Sequence, residues 1–162
     1  MNFTPSQVSA MCEKYGAQVG PLPAEVDGTQ LLWAMSGNES SFGVNCTPRH
    51  EPAFDVGGAY GANGDMPALI ALYGSPAAAC SYGPLQVMLC NAGNTSPTDF
   101  DDLDQAFAAS VAYLNTLLRR FNPQSLDEIG ECWNAGHVTP DPGYTSKLEA
   151  NYGVPRAQAT GE

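Results

Sequence analysis

The chain has 162 residues, 43% of them hydrophobic and 9% aromatic, which suits one globular domain spanning residues 1–162 and excludes a disordered tail. Six Lys and Arg stand against 17 Asp and Glu, for a formal charge of −11. That balance excludes nucleic acid as a partner and electrostatic docking on an anionic membrane, since both need clustered cations.

No stretch reaches the roughly 20 apolar residues that would span a bilayer. The opening residues, MNFTPSQVSAMCEKYG, lack the basic and apolar regions of a signal peptide. The scarcity of lysine fits either an acidic working milieu or compositional drift. The five cysteines, at 12, 46, 80, 90 and 132, include no CxxC pair and no zinc spacing, so no metal is expected. One or two disulfides would imply an oxidising destination, with Cys46, Cys80 and Cys90 as candidates for a staple.

In chain order, helical signals dominate. Thr4 and Pro5 form an N-cap and first turn for a helix ending at Gly16. Leu31, Leu32, Met35 and Phe42 are spaced for a buried helix over about 29–42. Residues 43–64 are glycine-rich and lack helical period, so a long irregular loop or small hairpin is expected there. Asp65 precedes the apolar run MPALIALYG, read as a short helix with Asp65 as its cap. Ser81 precedes a second apolar run, PLQVMLC, and would be its N-cap. Leu103, Phe107, Val111, Leu114, Leu118 and Phe121 mark a long amphipathic helix from near Asp99, with acids in its first turn and Arg119 and Arg120 in its last. Ser125 to Glu128 reads as a capping box for a helix ending at Gly136, and a last helix runs from about Tyr144 to Tyr152.

Glu39 stands near the end of an apolar helix, with Met35 one turn before it and Phe42 just after. A carboxyl so placed loses hydration, which favours its neutral form and equips it as a general acid. Taken alone, a glutamate at a helix end is more often a solvated cap. No GxGxxG follows a strand, no G-x-S-x-G elbow occurs, and His50 and His137 are isolated. No cofactor is expected.

Four segments in order alter the weight of Glu39: GNESSF around it, SYGPLQVM at 81–88, CWNAGH at 132–137 and GYTSKLEANYG at 143–153. Together they resemble the lysozyme-like lytic transglycosylases, the family of soluble lytic transglycosylases and goose-type lysozyme relatives. The resemblance covers roughly residues 28–153. It implies a mostly α, lysozyme-like fold and cleavage of the β-1,4 bond between N-acetylmuramic acid and N-acetylglucosamine. It makes Glu39 the catalytic acid/base, Tyr144 the hydroxyl that holds it, and Ser81, Gln86 and Asn134 groove residues. Trp133 reads as core packing or a sugar-stacking surface.

The chain departs from the common pattern in its long link, with 41 residues between Glu39 and Ser81. The link carries RHEPAFD, similar to an R-x-E-P stretch in phage-type members. Glu51 and Asp55 are therefore candidates for a second carboxylate; alternatively, Arg49 and Glu51 form a structural ion pair. A lone acid/base would yield 1,6-anhydro ends, whereas a second carboxylate about 6.5–9.5 Å away would direct water in an inverting hydrolysis. The expectation is a monomeric, extracytoplasmic or secreted lytic transglycosylase acting on peptidoglycan glycan strands. The alternatives are a hydrolytic muramidase and a non-catalytic glycan-binding module.

Overall fold

The computed structural model describes residues 1–93 and 95–156. Among these the fold is mostly α: seven helices with one small antiparallel sheet. Among the described residues, no helix is long and apolar enough to cross a membrane.

Helix α1 (Pro5–Gly16) opens on a full capping box, with Thr4 Oγ1 accepting from the Gln7 amide and the Gln7 side chain accepting from the Thr4 amide. Helix α2 (Gly28–Ser40) starts where the Asp27 carboxylate accepts the Gln30 N–H at 2.8 Å. Leu31 through Ser36 are all buried, so α2 is enclosed on every side and forms the axis of the molecule. Ser41 and Phe42 both adopt positive φ (53° and 59°), which ends the helix abruptly just after Glu39. The Ser40 hydroxyl secures this exit by donating to the Pro84 carbonyl at 2.7 Å and accepting the Gly43 N–H at 2.9 Å.

The segment after α2 does not fold back on itself as a hairpin. Strand β1 (Arg49–His50) adds to the edge of β2 (Cys80–Tyr82), which pairs with β3 (Val87–Met88) in the order β1-β2-β3. Between β1 and β2 lie a 3-10 turn at Pro52–Phe54 and two short helices, α3 (Met66–Tyr73) and α4 (Ser75–Ala78). Asp65 holds the N-cap position of α3 but makes no side-chain cap bond.

The apolar run after Ser81 is a tight strand–turn–strand and not a helix, which also removes Ser81 as an N-cap. Gly83 (φ 75°) and Gln86 (φ 50°) both take left-handed backbone, and Pro84 supplies no N–H, so a helical turn cannot form across 83–86. The long helix α5 (Leu103–Phe121) starts later than Asp99. Residues Pro97–Asp101 form a 3-10 turn, and Asp102 caps α5 by accepting from the Asp104 and Gln105 amides. Helix α6 (Leu126–Ala135) begins at Ser125 as expected, but the Glu128 carboxylate reaches the Gln124 amide at 2.7 Å. Helix α7 (Pro142–Tyr152) begins two residues before Tyr144, capped by Asp141.

The expected disulfide staple is not formed: all five cysteines are free. Cys46 donates to the Gly43 carbonyl and Cys80 to the Pro76 carbonyl, each within its own turn. Burial pushes the Cys12 thiol up to about 12. Stability rests instead on one apolar core in which Leu31, Leu32, Met35, Phe107, Leu114 and Leu148 are fully buried.

The end of α1 crosses the start of α2 so closely that a Cβ on Gly28 would collide with the Gly16 carbonyl oxygen. Overpacking at such a backbone contact costs about 1–3 kcal/mol. Gly28→Ala should lose stability of that order in urea-induced unfolding, with little change in the slope of the transition.

Candidate active site

The axis helix delivers Glu39 to the bottom of a cleft of about 1050 Å³. Around Glu39 the cleft wall includes Arg49 of β1, Ser81 of β2, Gln86 of the following turn, and Trp133 with Asn134 at the end of α6. The Glu39 side chain is only 6% exposed yet still faces the cleft.

Tyr144, in the first turn of α7, donates its hydroxyl hydrogen to Glu39 Oε1 at 2.7 Å. This is the partnership the sequence resemblance implies. Tyr144 is placed by two devices. Asp141 accepts the Gly143 and Tyr144 amides at 3.1 Å, and Asn38, next to Glu39 in sequence, donates to the Tyr144 carbonyl at 3.2 Å. Asn151 in turn donates to Asn38 Oδ1 at 2.7 Å, so one residue beside the acid is clasped at both ends of its amide by α7.

Burial raises the Glu39 carboxyl above the ordinary carboxylate range. The Tyr144 hydroxyl, the Arg49 charge and a hydrogen bond from Trp133 each pull it back, but burial prevails. Tyr144 itself is held well above the usual phenol value by burial and by the Glu39 charge, so it remains a hydrogen-bond donor.

Arg49 enters the site more deeply than its spacing suggested. Its Nε donates to Glu51 Oε1 at 2.8 Å, while Nη1 lies 3.6 Å from Glu39 Oε2. One guanidinium thus stands between the buried acid and the first candidate for a second carboxylate. Glu51 lines the cleft but is committed to this cation. Asp55 does not line the cleft: His50 Nε2 lies 2.9 Å from one of its oxygens, and the Ser75 hydroxyl donates to the other at 2.9 Å. Those bonds lower its pKa, that to His50 foremost, and make it a clasp between β1 and α4.

Ser81 and Gln86 come together as a pair. The buried Ser81 hydroxyl donates to Gln86 Oε1 at 3.0 Å, and Gln86 Nε2 donates to the Gly83 carbonyl at 2.9 Å. Asn134 lines the cleft, but its amide donates to Asp141 Oδ2 at 2.8 Å, so it fixes the start of α7. Sequence reasoning missed Asn38, Asp141 and the donor role of Trp133. Of these, Asp141-Pro142 carried a signal, since an acid before proline marks a helix start. Among the described residues no group of three or more His, Cys, Asp or Glu is placed to hold a metal ion.

No protein-family model, curated protein or solved structure matches this chain.

Because Arg49 and Tyr144 both favour the ionised acid, Arg49→Gln and Tyr144→Phe should each shift the Glu39 titration to higher pH in carboxyl-resolved NMR. A carboxyl whose folded pKa lies above its unfolded value takes up protons on folding. Its contribution is therefore fully present below the unfolded pKa and is lost as pH rises through the folded one. Glu39→Gln, which never ionises, should be more stable than the parent at neutral pH and lose that advantage in acid, as read from denaturation midpoints across pH.

Proposed function

We propose that the chain is a peptidoglycan-cleaving enzyme with a lysozyme-like fold, working as a lytic transglycosylase outside the cytoplasmic membrane, as a monomer. The observation that carries this reading is the buried Glu39 carboxyl, held by a neutral phenol at the floor of an open cleft. Such a group is protonated at higher pH than a solvated glutamate and is placed to donate its proton to a bound glycosidic oxygen.

In the proposed reaction Glu39 transfers its proton to the oxygen joining N-acetylmuramic acid C1 to N-acetylglucosamine, and the C1–O bond breaks. The muramic-acid 2-acetamido group assists at C1. The Glu39 carboxylate then takes the proton from the C6 hydroxyl as that oxygen bonds to C1. The products are a 1,6-anhydro end and a free 4-hydroxyl, and Glu39 is again protonated. Arg49, 3.6 Å from the carboxylate, stabilises the intermediate charge.

The commitments of Glu51 and Asp55, the two candidates for a second carboxylate, favour this route over hydrolysis. Glu51 is paired with Arg49, and Asp55 with His50 and Ser75, so neither is free to deprotonate a water.

Mass spectrometry of muropeptides released from purified peptidoglycan should show ends one water lighter than reducing ends. Glu39→Gln should lower the rate by about 10²–10⁴-fold, the usual worth of a general acid. Activity should fall as pH rises through the Glu39 pKa, and Arg49→Gln should move that fall to higher pH. Reducing ends would turn the reading to hydrolysis through Glu51. Intact glycan would turn it to a binding module, and near-normal activity of Glu39→Gln would overturn the assignment of the acid.

A further inference from the structure

The cleft contains two aromatic ring pairs. Tyr113 of α5 and Trp133 of α6 lie 5.5 Å apart between centroids, and Trp133 reaches Glu39. The second pair, Phe54 and Tyr60, comes from the long link between β1 and α3. Its centroids are 5.2 Å apart at an interplanar angle of 45°, and both rings line the cleft. Tyr60 remains 50% exposed.

The loop bearing the second pair is tightly built. The Tyr60 amide donates to the Ala53 carbonyl at 2.7 Å and the Gly58 amide to the Asp55 carbonyl at 2.8 Å. A Cβ on Gly61 would strike the Asp55 carbonyl oxygen, and one on Gly58 would come within 2.6 Å of the Pro52 and Ala53 carbonyls. The clasp of Asp55 to His50 and Ser75 anchors the same turn to β1 and α4. These contacts fix the backbone on either side of both rings, which lowers the ordering cost of presenting them.

We propose that the Phe54–Tyr60 pair is a second stacking platform for a sugar ring of the glycan strand, in the same cleft as Glu39 but carried by the long link. A pyranose offers an apolar C–H face and a polar rim. The rings match the face, while Asn63 and Asp65, which also line the cleft beside them, match hydroxyl and acetamido groups. A cleft of about 1050 Å³ lies at the upper end of small-ligand sites and has room for more than one sugar. The platform rests on the glycan-cleaving reading and assigns its chain-length preference to the link.

The test uses calorimetric binding in the Glu39→Gln background, where turnover is slowed by about 10²–10⁴-fold. The probes are a hexamer of alternating N-acetylglucosamine and N-acetylmuramic acid and the corresponding dimer. Tyr60→Leu keeps apolar bulk against Phe54 but removes the flat face, whereas Tyr60→Phe keeps the face. The Leu variant should bind the hexamer roughly tenfold more weakly and the dimer unchanged, with the Phe variant within about twofold of its background. A Leu variant that binds the hexamer as tightly as its background overturns the platform alone. A folded Glu39→Gln protein that binds neither probe overturns both the platform and the glycan reading.

Discussion

The site depends on one hydrogen bond made out of water, from the Tyr144 hydroxyl to Glu39. Removing a carboxyl from solvent disfavours its charge, and a charged partner as close as Tyr144 would restore it. A phenol avoids this: it donates a hydrogen bond, fixes the carboxyl in direction, and brings no formal charge. The α2–α7 seam is built around that requirement. Asp27 donates its amide to the Tyr152 hydroxyl at one end, and Gln30 donates to the Tyr152 and Val154 carbonyls. Asn38 and Asn151 close the other end. Gly37 allows the closeness, since a Cβ there would lie 2.8 Å from the Asn151 side chain and 2.7 Å from the Phe42 ring.

The seam leaves one face of the acid to the sheet, and there a cation does appear. Arg49 stays 3.6 Å from Glu39 because Glu51 holds its other edge at 2.8 Å. The closer bond goes to the more exposed carboxylate, so the buried acid keeps a raised pKa while its ionised form still has a counterion. The small sheet thereby contributes the electrostatics, and the helices contribute the desolvation.

Helices α1 and α6 were legible because local chemical signals mark their ends: Thr4 with Pro5 at the start of α1, and Ser125 with Glu128 at the start of α6 and Gly136 at its close. Glu39 and Tyr144 were legible only through the order of four short segments, since neither shows its partner in local sequence. The run after Ser81 was misread because its apolar spacing is too short to separate helix from strand. Left-handed backbone at Gly83 and Gln86 decided the matter. Arg49 was visible as a neighbour of Glu51, but its reach to Glu39 arises from strand pairing across the long link, which no local pattern encodes. The disulfide expectation failed for a similar reason: cysteine spacing along a chain says nothing of which way each thiol points.

The placement of the phenol also sets an order of events during synthesis. Glu39 and Tyr144 are 105 residues apart, and α7 follows α2, the sheet and α6 along the chain. Until α7 has been made and has docked, the carboxyl lacks the hydroxyl that aims it. A partly synthesised chain therefore carries the carboxyl without its partner, and the Glu39–Tyr144 pair exists only once the last helix has closed the fold.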